Sequence, residues 1–90
     1  MNQQDRRTIG VLSQVERARA EGDGNVYVAS LPDNDFQMSV NGVKVGVKRL
    51  RSWGRKGWLI HEEDLGSKQL YTLTDEGYGA VRDFRAALTG

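Results

Sequence analysis

Between residues 44 and 58 the chain carries Lys44, Lys48, Arg49, Arg51, Arg55 and Lys56 and no acid. Cations without interspersed acids form a surface for polyanions, whose condensed counterions are released on binding. If residues 43–56 form a helix, Lys44, Lys48, Arg51 and Arg55 fall in one stripe at about 100° per residue. Val43, Val47 and Leu50 then make the adjoining apolar arc, with Trp53 at its margin. Other reactive side chains are sparse. His61 is the single histidine and there is no cysteine, so neither a histidine cluster nor a thiolate metal site is expected. Glu62, Glu63 and Asp64 are clustered carboxylates without a His or Cys partner, and a turn of solvated charges is the plainer account of them. Trp53 and Trp58 have the chemistry to stack on unpaired bases. Flanking Gly57 at a helix–strand junction, however, they read as core. The chain has no nucleophile–base pair and no phosphate loop, so neither catalysis nor a cofactor is expected.

A chain of 90 residues has room for one modest core, and residues 1–90 are read as a single domain. Its net charge is only +1, but the charges are segregated. The acids gather at Asp33 and Asp35, at Glu62 to Asp64 and at Asp75-Glu76, away from the basic stretch. That distribution suits a nucleic-acid face and equally a surface that docks on an acidic protein. No apolar run approaches membrane-spanning length and the N-terminus lacks the hydrophobic region of a signal peptide, so a cytoplasmic location without membrane partners is expected.

The elements that must position the basic stretch are read from periodicity. Residues 5–21 predict a helix capped by Asp5, with Ile9, Leu12 and Val15 on one stripe and Gly22 or Gly24 ending it. Arg6 and Arg7 read as part of a frayed terminus. "NVYVAS" (25–30) predicts a short strand broken at Leu31-Pro32, after which Asp33 is placed as the cap of a short helix carrying Phe36 and Val40. Strands are predicted over 58–61 and 69–73, joined around Leu65-Gly66-Ser67. Thr74 then caps a helix whose first turn holds Asp75 and Glu76 and whose packing face is Tyr78, Val81, Phe84 and Leu88.

"VNGVKVGVKRLRSWGRKGWL" (40–59) admits two structures. Asn41-Gly42 between alternating apolar residues is a strong hairpin signal. A hairpin nevertheless leaves "KRLRSWGRKGWL" without an account, whereas a helix over 43–56 places the cations in one stripe and ends at Gly57. The helix is preferred, despite the cost of Gly46 and Gly54 inside it, at roughly 1 kcal/mol each relative to Ala. Asn41-Gly42 then becomes the turn between two helices. The hairpin alternative would give a β-rich interaction module with a C-terminal helix.

With that choice the order of elements resembles a winged helix-turn-helix domain. "VKRLRSWGRKGWLI" is similar to the end of the recognition helix and the start of the wing in MarR- and PadR-type repressors, through Leu50, Trp53, Lys56, Gly57, Trp58 and Leu59. "YTLTDEG" (71–77) resembles the strand-to-helix junction of the same families. The resemblance covers residues 43–88 and is poor before them. It implies an α+β fold with a three-helix core, a two-stranded wing and a C-terminal helix. It further implies sequence-specific duplex DNA binding by a small transcriptional regulator, with the basic helix in the major groove. Lys44 and Lys48 would approach bases or nearby phosphates, and Arg51 and Arg55 would meet phosphates. Arg49, Lys56 and Lys68 complete the candidate DNA-binding set. Homodimerisation is implied as well, with Leu12, Val15, Val81, Phe84 and Leu88 as the candidate interface. The acidic wing tip at Glu62, Glu63 and Asp64 departs from the usual basic one. The alternative function is an interaction module, or a small inhibitor, that docks its basic helix on an acidic protein.

Overall fold

Residues 34–46 decide the architecture, and they form a hairpin. In the computed structural model, which describes residues 3–89, β2 (Asn34–Val40) pairs antiparallel with β3 (Val43–Gly46) in the register Val40↔Val43, Ser39↔Lys44, Met38↔Val45 and Gln37↔Gly46. Asn41 (φ 50) and Gly42 (φ 83) both have positive φ, the requirement of the two-residue turn whose twist matches the flanking strands. Asn41 also ties this turn to its neighbour. Its Oδ1 accepts from the Tyr27 N–H at 2.6 Å and its Nδ2 donates to the Asn25 carbonyl at 2.9 Å.

The remaining elements are α1 (Gln3–Glu21), β1 (Val26–Leu31), α2 (Val47–Arg55), β4 (Leu59–Asp64), β5 (Gln69–Leu73) and α3 (Asp75–Thr89). The strands build one antiparallel sheet in the order β3-β2-β1-β5-β4. The chain is therefore α+β, but it is not a winged helix-turn-helix. The expected helix over 43–56 is a strand up to Gly46 and a helix only from Val47, and the short helix expected after Asp33 is β2. What resembled a free wing, β4 and β5, is two of the five strands of the one sheet, because β5 also pairs with β1. α1 begins at Gln3, so Asp5 falls inside its first turn instead of before it, and Arg6 and Arg7 lie within the helix.

One face of the sheet carries the core. Val26 and Val28 of β1, Val40, Val45, Leu59 and Leu73 are buried together with Leu12 and Val15 of α1, Trp53 of α2 and Val81 of α3. The intervening residues, among them Lys44, Ile60 and Thr72, point to the other face and are exposed. This is the usual economy of an antiparallel sheet with one face on the core and one in water. Leu12, Val15 and Val81, expected at a dimer interface, are at most 2% exposed inside this single chain and cannot form one. Phe84 is half-buried, within reach of Gly10 on α1, and Leu88 is 66% exposed.

Candidate nucleic-acid interface

α2 leaves the sheet at one edge, after β3, and returns to it at the other edge as β4, so it lies across the sheet and packs on β2, β3 and β4. Its start is Gly46, extended at φ −61 and ψ 141 and without a side-chain cap. Its end is closed by two backbone hydrogen bonds that both point back into the last turn. The Gly57 N–H donates to the Gly54 carbonyl at 3.1 Å and the Trp58 N–H to the Trp53 carbonyl at 3.0 Å, with Gly57 in the left-handed region at φ 74. Trp53 is fully buried beneath the helix and Leu50 is half-buried.

That burial leaves Lys48, Arg51 and Arg55 exposed on the outer side, within an arc of about 60° at about 100° per residue. Lys56 follows, exposed, with its Nζ 5.3 Å from the centre of the half-buried Trp58 ring, while Arg49 is half-buried at the flank. Among the described residues, ion pairs engage Arg19, Arg82 and Arg85, and none engages a cation of α2.

The seven candidate DNA-binding cations do not form one surface. Lys44 sits on β3 opposite Ser39 and faces away from the helices. Lys68 lies in the β4–β5 turn with its Nζ 4.2 Å above the Tyr27 ring. Both belong to the far side of the sheet, Lys44 by the period-2 geometry of β3 and Lys68 by its contact with Tyr27, which lies between the inward-facing Val26 and Val28. The five of α2 and its C-terminal cap remain together.

Beside the first turn of α2 runs a groove of about 600 Å³ lined by Asp35, Phe36, Gly46, Val47, Lys48 and Arg51. Phe36 is 82% exposed, the most exposed large apolar residue described. On the other flank a shallower groove of about 260 Å³ is lined by Met38, Val47, Leu50, Arg51, Gly54 and Tyr71, so Arg51 borders both. Sequence reasoning missed Phe36 by placing it on the packing face of a helix. Its signal is the alternation Phe36, Met38, Val40, which runs one residue pair beyond the β2–β3 register.

The acidic hairpin carries no second site. Glu62, Glu63 and Asp64 are exposed, and no group of three potential metal ligands exists among the described residues. His61 is exposed and meets the Tyr71 ring edge-on at 5.2 Å between centroids. Among the described residues one pair of titrating groups is shifted, Asp23 just before β1 and Tyr27 within it. The Tyr27 hydroxyl donates to Asp23 Oδ2 at 2.6 Å, which lowers the Asp23 carboxyl and raises the Tyr27 phenol from their ordinary values. Among the described residues no helix is long and apolar enough to cross a membrane.

No known protein family matches the chain, and neither a curated protein nor a solved structure matches it.

Proposed function

We infer that the protein binds nucleic acid through the outer face of α2. The observation that carries this reading is the exposed arc of Lys48, Arg51 and Arg55, with no acid on the helix and no ion pair holding these cations. A cation already paired with a carboxylate has little to offer a phosphate, whereas an unpaired one exchanges only water and chloride for it. Such contacts grip the backbone without reading sequence. Duplex DNA is the first polymer to test, since a helix carrying such an arc fits the major groove. A transcriptional regulator would need a second copy for specificity, and of the candidate contact residues only Phe84 and Leu88 are left at the surface to supply one.

The test is binding to a labelled duplex across a salt series. Three phosphate contacts predict a slope of about 2.7 log units of affinity per log unit of salt. Lys48→Ala/Arg51→Ala/Arg55→Ala should abolish most of that slope. Lys44→Ala/Lys68→Ala should leave it intact, because those residues face the other side of the sheet. Docking on an acidic protein is the rival, favoured by the net charge of only +1 and by the exposed acids of the β4–β5 hairpin. Binding at low salt to neither a duplex nor a single strand by the folded protein would select that rival.

A further inference from the structure

We propose that Phe36 is a stacking platform for an unpaired base, so that the α2 surface prefers single-stranded nucleic acid. This inference rests on α2 being the nucleic-acid face and adds to it which form of the polymer is bound.

Alternate residues of β2 point to the helix-covered side of the sheet, and their exposure falls from 82% at Phe36 through half-buried Met38 to 0% at Val40. The cause is topological. β3 pairs with β2 only from Gln37 to Val40, because the chain leaves the sheet at Val47 to start α2. The first turn of the helix therefore stands beside Phe36 and does not cover it. An aromatic ring on the core side of a sheet is left open along one wall of a groove whose other wall carries Lys48 and Arg51.

The ring sits on well-tied backbone. The Phe36 N–H donates to Asn34 Oδ1 at 2.9 Å, the Asn34 amide donates to Gln37 Oε1 at 3.3 Å, and Leu31 pairs with Asn34 across the Pro32-Asp33 turn. A stacking surface held this way loses little freedom when a base settles on it. The groove volume of about 600 Å³ lies within the range of small-ligand clefts, about 300–1,000 Å³.

Charge gives the site a direction. Asp35, next to Phe36 on β2, disfavours phosphate at the strand, while Lys48 and Arg51 attract it to α2. The phosphate is thereby drawn toward α2 and the uncharged base is left for the ring. Only an unpaired base can use it, because in a duplex both faces of each base are covered by its neighbours.

The experiment measures fluorescence anisotropy of a labelled oligothymidylate and of a duplex of equal length. It compares the wild type with Phe36→Ala, Phe36→Trp and Lys48→Ala/Arg51→Ala. Each variant is first shown to keep the wild-type circular dichroism spectrum and melting temperature, as expected for a side chain as exposed as Phe36. The expected result is tighter binding to the single strand than to the duplex. Phe36→Ala should weaken the single-strand complex at least about fivefold, leave the duplex complex unchanged, and be made good by Phe36→Trp. Equal affinity for the two polymers, or a single-strand affinity untouched by Phe36→Ala, overturns the stacking role while leaving α2 as the phosphate-binding face. Binding to neither polymer, or binding indifferent to Lys48→Ala/Arg51→Ala, overturns both.

Discussion

Gly77 and Gly79 are both glycines of α3, and alanine should have opposite effects at the two positions. A Cβ at Gly77 would lie 2.6 Å from the Trp58 carbonyl oxygen and 2.7 Å from Leu73 Cδ1. Neither neighbour can withdraw easily. The Trp58 carbonyl accepts from the Thr74 N–H at 2.9 Å, the Thr74 hydroxyl donates to the Gly57 carbonyl at 2.6 Å, and Leu73 is in the core. Thr74 Oγ1 in turn accepts from the Gly77 N–H at 3.1 Å, so the cap of α3 fixes the same backbone that the new methyl would displace. Overpacking of this kind costs about 3 kcal/mol at the upper end of its usual range. Alanine recovers at most about 1 kcal/mol of helix propensity. The net loss for Gly77→Ala is about 2 kcal/mol, a melting temperature lower by about 8–16 °C for a domain of this size. At Gly79 the nearest atom is the Arg82 guanidinium at 3.6 Å, an ordinary contact, so Gly79→Ala should gain up to about 1 kcal/mol. Thermal and denaturant unfolding of the two variants checks this directly. Stabilisation by Gly77→Ala comparable to that by Gly79→Ala would refute the close approach of α3 to the start of β4.

Asn41→Ala should destabilise the fold by about 1–3 kcal/mol, because it leaves the Tyr27 N–H without its acceptor and puts an alanine at φ 50. Asn41→Asp keeps the acceptor and loses the donor to Asn25, so denaturant unfolding should place it between the two. For the Asp23–Tyr27 pair the sign follows from the shifts. The lowered carboxyl contributes above the ordinary carboxylate range and is lost as pH falls through its folded value. The raised phenol contributes below the ordinary tyrosine value and is lost as pH rises through its folded one. Tyrosinate absorbance should show one tyrosine ionising late in the wild type, and Asp23→Asn should bring it back; an unchanged titration in Asp23→Asn would refute the contact.

The parts of the fold that were legible in the sequence are those specified by local chemistry. Thr74 caps α3 as its position before Asp75-Glu76 predicts, Gly57 ends α2 in the left-handed region, and β4 and β5 flank the expected turn. Residues 40–59 were not legible because two correct local signals were read as competitors for one stretch. Alternation holds through Val45 and helical spacing holds from Val47, and Gly46, extended and without a Cβ, is where one period becomes the other. The winged-helix order of elements depended on extending the helical period four residues too far, to Val43, and on reading β2 as a helix.

The same boundary reshaped the candidate site. In a helix over 43–56, Lys44 joins the stripe; with Gly46 as the switch it is carried on a strand and turned to the opposite side of the sheet. The residue brought to the stripe in its place is Phe36, which no helical reading of 33–40 could put beside Lys48, because that neighbourhood exists only when β2 pairs with β3. Its exposure is equally a product of pairing, since β3 stops opposite Gln37 and the helix that follows turns aside. A basic stripe can be found from charge spacing alone. The aromatic wall that would give it a preference among polyanions comes from where a strand ends, and strand ends are set by partners distant in sequence.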